Sequence, residues 1–240
     1  VDRLASSSNG NGSAKKNGSS HGGLLAALEH QWRFFHGYIR RPQEIGAVAP
    51  SSKALAAAVC EPLRRSRHRP VSVLEAGAGT GAVTRYLGTI LTADDDLDVC
   101  EISHDFADII EHDVLSGSNF AAMTAAGRVR LLRMPLQTLP GDKQYDFVIS
   151  GLPLTAFELH DIEDVFAVIR RVLKPGGVFS YFEYRWLRRT SRMLALGKSR
   201  NRLRAVNSYL TQNLRRHKFA GRNVFLNFPP AHAHHLRFDR

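Results

Sequence analysis

The chain has 240 residues, 43% hydrophobic and 23% charged, the proportions of a soluble globular protein with room for one full core. No apolar run approaches the roughly 18–20 residues that span a bilayer, and nothing resembles a signal peptide, so a cytosolic chain is expected, one that meets a membrane only at its surface. The two cysteines, Cys60 and Cys100, fall in apolar regular segments and read as buried thiols rather than a disulfide, while 33 basic against 22 acidic residues leave a net charge of +11.

Residues 1–22 are Ser, Gly and Asn with almost nothing to bury; they read as a disordered tail before one domain over 23–240. Leu24, Leu25, Leu28, Trp32, Phe35 and Ile39 recur at helical spacing and predict an amphipathic helix that Pro42 stops. A loop, EIGAVAPSS, follows, and Ser51 or Ser52 can cap a helix running to about Arg65. VSVLEAG reads as a buried strand and TGAVTRYLGTIL as the next helix. LDVCEI and VRLLR are further strands with helical material over 105–126 between them. YDFVIS is a strand, then a helix sets Ile162, Val165, Phe166, Ile169 and Leu173 on one face, and GGVFSYFEY is strand again. This alternation predicts an α/β fold, a parallel sheet with helices on both faces.

The most informative stretch is VLEAGAGTG, residues 73–81, between a buried strand and a helix, where a nucleotide-binding loop sits. Gly77, Gly79 and Gly81 let the backbone turn tightly and approach a ligand. Three glycines alone also suit dinucleotide enzymes, or a turn that holds no ligand. Two acids sharpen the reading. Glu75 would repel a pyrophosphate but suits an amino group, and Glu101, ending the second strand, can accept bonds from two ribose hydroxyls. S-adenosylmethionine offers both groups.

These residues resemble the seven-stranded, Rossmann-like methyltransferases. Glu75-x-Gly77-x-Gly79-x-Gly81 is similar to their first motif, Glu101 to their second acidic position, and LKPGGVF (173–179) to the turn into their fifth strand. The resemblance implies a cofactor set of Glu75, Ala76, Gly77, Gly79, Gly81, Glu101, Ile102, Met134 and Ser150, with Glu75 and the loop on the methionine part and Glu101 on the ribose. Many members carry an Asp after the third strand for the adenine amine. This chain has RMPLQ there, so Met134 and Leu136 offer only backbone and apolar contact.

The fourth strand ends in SGLPLTAF, residues 150–157. Amine methyltransferases commonly hold a polar residue and a proline here, because a neutral amine must aim its lone pair in line at the methyl group. Ser150 with the Gly151 and Leu152 carbonyls can accept the amine's N–H bonds, and Pro153 fixes the turn. An ammonium substrate must first lose a proton, and Glu183, Tyr181 or Tyr184 can assist; ordinary strand packing is the alternative for each. RNA adenine dimethylases place a base-stacking aromatic after their Asn-Leu-Pro, where this chain has Leu154. The bacterial phospholipid N-methyltransferases resemble it better, through GAVAPSS (46–52), Ser-x-Leu-Pro-Leu (150–154) and NFPPA (227–231). That resemblance implies N-methylation of the primary amine of phosphatidylethanolamine or of an ornithine lipid, in one or several steps.

Residues 185–222 hold twelve Lys or Arg and no acid; without them 21 basic face 22 acidic residues. This segment reads as a basic helical insertion after the fifth strand, with a stripe of Leu203, Val206, Leu210 and Leu214 and with Arg200, Arg202, Arg204, Arg215 and Arg216 partly on other faces. It can dock on an anionic membrane, as can the helix over 24–40, or pack its stripe on the domain and leave a solvated basic face. RNA is the competing partner, but stacking aromatics are sparse in the segment. A non-catalytic surface binder is a third reading, and the intact loop argues against it. His232 and His234 share a strand face without further ligands at metal spacing, so no metal is expected. No obligate protein partner is implied, and the expected place is the inner face of the cell membrane.

Overall fold

The computed structural model describes residues 53–66, 69–184, 198–227 and 229–238. The predicted tail, the helix over 24–40, GAVAPSS and residues 185–197 lie outside them.

Seven strands form one sheet in the order β3-β2-β1-β4-β5-β7-β6. β1 (Ser72–Ala76), β2 (Asp96–Cys100), β3 (Val129–Leu132), β4 (Tyr145–Ser150) and β5 (Leu173–Tyr184) run parallel. β7 (Ala231–Arg237) is antiparallel to β5, and β6 (Lys218–Val224) pairs antiparallel with β7 at the edge. β1 and β4 read as apolar runs because helices cover both of their faces. On one face lie α1 (Lys53–Val59), α2 (Glu61–Arg65), α3 (Ala82–Leu87), α4 (His104–Ile110) and α5 (Ala121–Ala125), packed on Val73, Phe147, Ile149 and Val178. The single helix expected up to Arg65 breaks at Cys60, where Pro62 starts the next turn. Cys60 and Cys100 are free and buried.

The other face carries α6 (Leu159–Val172) and α7 (Lys198–His217). Asp161 starts α6 by accepting the Glu158 N–H at 3.2 Å. Its stripe, Ile162, Val165, Phe166 and Ile169, is buried against Leu74, Val148 and Phe179. The basic segment differs in part from expectation. Residues 198–217 are helix, but 218–222 belong to β6, and α7 is the crossover that carries the chain from β5 to β6. Val206 and Leu210 are fully buried in the domain, with Tyr209 edge-on to Phe166 at 5.5 Å. The stripe is therefore spent on the core, and the exposed basic face is what α7 offers outward.

Strand order reverses between β1 and β4, which leaves a crevice beyond their C-terminal ends. Ala76 pairs with Ser150 there, and Ser150 with Tyr181.

Candidate active site

The glycine loop occupies that crevice. Gly77, Gly79 and Gly81 have φ of 73°, 57° and 76°, a left-handed path that a Cβ would strain. The Gly77 N–H bonds the Cys100 carbonyl at 2.8 Å, and the Gly151 N–H bonds the Ala76 carbonyl at 2.9 Å. The turn after β4 is thereby pressed onto the loop. A Cβ on Gly151 would sit 2.4 Å from the Gly77 carbonyl oxygen, so that position admits only glycine without movement.

Both predicted acids are in the crevice and almost fully buried. Glu101 spans the gap between β2 and the loop: Oε2 accepts the Gly79 N–H and Oε1 the Ser103 N–H, each at 2.8 Å. Glu75 points toward Thr84 of α3, and its Oε2 is buried without a hydrogen-bond partner. Burial pushes its carboxyl up to about 8; the Thr84 hydroxyl and amide oppose the rise and the Glu101 charge adds to it. An orphaned acceptor in the cradle of a glycine loop suits a cationic amine.

Beside the loop lies an open cleft whose wall includes Gly77, Ile102, Met134, Leu136, Leu152 and Phe157. Ile102 and Met134 were anticipated from the sequence. Phe157 and Gln137 were not, although Gln137 stands in the RMPLQ stretch where an Asp was missed. Gln137 lines the same wall, and it is a residue whose side chain has both a donor and an acceptor.

Past the cleft, Ser150 is buried and its Oγ accepts the Leu152 N–H at 3.2 Å. The Leu152 carbonyl accepts the Leu154 N–H at 2.9 Å, and Pro153 leads into a short 3₁₀ turn, Leu154–Ala156. Glu183 and Tyr184 extend β5 beyond the Ser150 row, on opposite faces. Tyr184 packs edge-on to Phe182 at 5.4 Å on the α1 side, whereas Glu183 stands with Tyr181 on the α6 side. The His234 ring nitrogen lies 3.3 Å from the Glu183 carboxylate. His232 bonds Asn223 at 2.7 Å and Lys218 at 3.0 Å, and His235 bonds Ser180 at 2.8 Å on the other face. Burial pushes His235 down to about 4, which keeps it neutral.

Residues 73–177 match a family described as "Methyltransferase domain". The ornithine lipid N-methyltransferase of Singulisphaera acidiphila is 33% identical over 147 residues, 61% of this chain and 74% of that protein. The chain belongs to the class I S-adenosylmethionine-dependent methyltransferases, in their lipid N-methyltransferase family. Solved structures agree on the fold. A methyltransferase from Clostridium acetobutylicum superposes with a TM-score of 0.58 at 13% identity, over 87% of this chain and 99% of that one. The 1,6-didemethyltoxoflavin-N1-methyltransferase of Burkholderia thailandensis, with bound S-adenosylhomocysteine, gives 0.55 at 14% identity, over 95% and 93%.

The methyltransferase cofactor is S-adenosylmethionine, and the crevice fits it, since the Glu75 orphan, the glycine backbone and the apolar cleft meet at one place. One clamp could not be read from sequence. Arg202, counted there among the surface charges, donates from Nη1 to the Phe157 carbonyl at 2.7 Å and to the Ala156 carbonyl at 3.2 Å. It ties the start of α7 to the turn that walls the cleft.

Proposed function

We propose that this methyltransferase transfers methyl groups to the primary amine of an aminolipid head group, with an ornithine lipid as the leading substrate and phosphatidylethanolamine as the second. The observation that carries this reading is the 33% identity to the ornithine lipid N-methyltransferase. The Ser-Gly-Leu-Pro turn at the end of β4 supports it, because an amine acceptor needs carbonyls that aim its lone pair and, beyond them, only one group to take its proton. The Gly151 and Leu152 carbonyls would accept the amine's N–H bonds, while Ser150, bonded to the Leu152 N–H, and Pro153 hold the turn in place. Glu75, Ala76, Gly77, Gly79 and Gly81 would hold the methionine part of the cofactor, Glu101 and Ile102 the ribose side, and Met134, with Gln137, the adenine.

Bound S-adenosylmethionine supplies the activated methyl group. The Gly151 and Leu152 carbonyls would aim the amine lone pair in line at that group. Glu183, with His234 beside it, takes the proton that the ammonium loses before it can react. The product amine regains a lone pair on losing its next proton, so the same turn serves successive steps. We place the protein at the inner face of the cell membrane. The test is incubation with labelled cofactor and separate detergent-dispersed ornithine lipid, phosphatidylethanolamine and RNA. Label in an aminolipid is expected, and label in RNA alone would sink the reading.

A further inference from the structure

The turn between β6 and β7 exposes two large apolar side chains, Phe225 at 70% and Leu226 at 88%. Their neighbours on either side, Val224 and Ala231, are buried and paired with each other. The exposure is built. Buried Asn227 donates from Nδ2 to the Pro229 carbonyl at 2.8 Å, which closes the turn and presents the residues before it. A water-soluble surface gains nothing from holding Phe and Leu outward in a pinned turn.

Position gives the turn its meaning. β6 runs in the direction of β5, so its end lies at the same edge of the sheet as the crevice. Val224 and Tyr184 both pair with Ala231, three residues beyond the row of Ser150 and Tyr181. The tip therefore stands two strand spacings from β5, about 10 Å, and about 10 Å further out than Ser150. Arg202 anchors the start of α7 at this edge, with Arg200 and Arg204 exposed on the same stretch of helix, whereas Arg222, just before the tip, already faces the Glu61 carboxylate at 3.6 Å.

We propose that Phe225 and Leu226 form a bilayer-inserting tip that holds the crevice against an anionic lipid surface. The inference rests on the aminolipid reading above. An apolar tip flanked by arginines matches a bilayer, whose acyl region takes the apolar pair and whose phosphates meet the cations. A nucleic acid would need stacking faces, and the more exposed of the two side chains is aliphatic.

Cys60 and Cys100 are buried, so Leu226→Cys in the full chain can be labelled at one site with a polarity-sensitive fluorophore. Vesicles of phosphatidylethanolamine and phosphatidylglycerol should shift its emission to the blue, and brominated acyl chains should quench it. Phe225→Ser/Leu226→Ser should weaken co-sedimentation with those vesicles by at least about tenfold. The same variant should keep S-adenosylhomocysteine affinity and methylation of detergent-dispersed lipid. A probe that ignores vesicles overturns the proposal, as does one already blue-shifted without them, which would mean that the chain covers its own tip. Unchanged sedimentation of the double variant also overturns it. If the tip inserts but no aminolipid is methylated even in detergent, the docking stands and the substrate reading falls.

Discussion

The Gly79 amide donates to the Glu101 carboxylate at 2.8 Å, so the acid that directly follows β2 also holds the glycine loop in its left-handed path. Its second oxygen holds Ser103, at the start of α4. Glu101→Ala would orphan the buried Gly79 amide, at about 1–3 kcal/mol, and free the half-buried Ser103 amide at a smaller cost. The melting temperature should fall by about 10 °C, and S-adenosylhomocysteine binding by calorimetry should be lost. Glu101→Gln keeps one acceptor oxygen and should fall between.

Glu75 gives the cofactor site a pH dependence with a defined sign. Its carboxyl in the folded protein sits near 8, against 4.5 for an ordinary glutamate, because burial disfavours the charge. The stability that the neutral form contributes is fully present below pH 4.5 and is lost as pH rises through about 8. Glu75→Gln should therefore melt close to the parent at pH 4.5 and increasingly above it towards pH 8. A cationic amine needs the ionised form, so cofactor affinity in the parent should rise between pH 6 and 8 with release of a proton. Calorimetry in buffers of different ionisation enthalpy would count that proton, and the Gln variant should release none.

The contact of Gly151 with the Gly77 carbonyl predicts a further separation of effects. Gly151→Ala drives a Cβ into backbone at 2.4 Å and must push the two loops apart. The cost should be about 1–3 kcal/mol, with cofactor affinity weakened about tenfold or more. Gly127→Ala is the contrast, because it has φ of 67° and open space around its Cβ, far from the crevice. It should lose about 1–2 kcal/mol of stability and no affinity.

What the sequence disclosed follows from where each signal lies along the chain. Ser72–Ala76 and Tyr145–Ser150 are legible because strands covered on both faces are unbroken apolar runs. Glu75 and Glu101 are legible because each occupies a fixed place at a strand end. β6 is not, since among Lys218–Val224 only Val224 is buried and no alternation marks the edge; its charges made it look like more of the basic helix. Arg202 and Phe157 are 45 residues apart, and nothing local distinguishes a clamp from a solvated arginine. Gln137 is not legible, because it is an amide further along RMPLQ and not a carboxylate directly after β3. The Phe225–Leu226 tip escaped because apolar residues at a strand's end read as buried until the turn is seen.

The basic face of α7 yields the last test, one that its stripe cannot confuse. Leu210 is fully buried, so Leu210→Ala should cost about 2–5 kcal/mol of stability and leave vesicle binding of the folded protein unchanged. The exposed arginines divide by position along the helix. Arg200 and Arg204 sit at the crevice edge, whereas Arg215 and Arg216 lie 11 to 16 residues further on, about 16–24 Å away. That exceeds the screening length of about 8 Å at physiological salt. With about 1 kcal/mol per cation held near an anionic surface, Arg200→Glu/Arg204→Glu should weaken vesicle binding by at least about tenfold. Arg215→Glu/Arg216→Glu should barely alter it. Equal losses from both pairs would mean that α7 lies flat on the membrane and that the crevice edge does not face it.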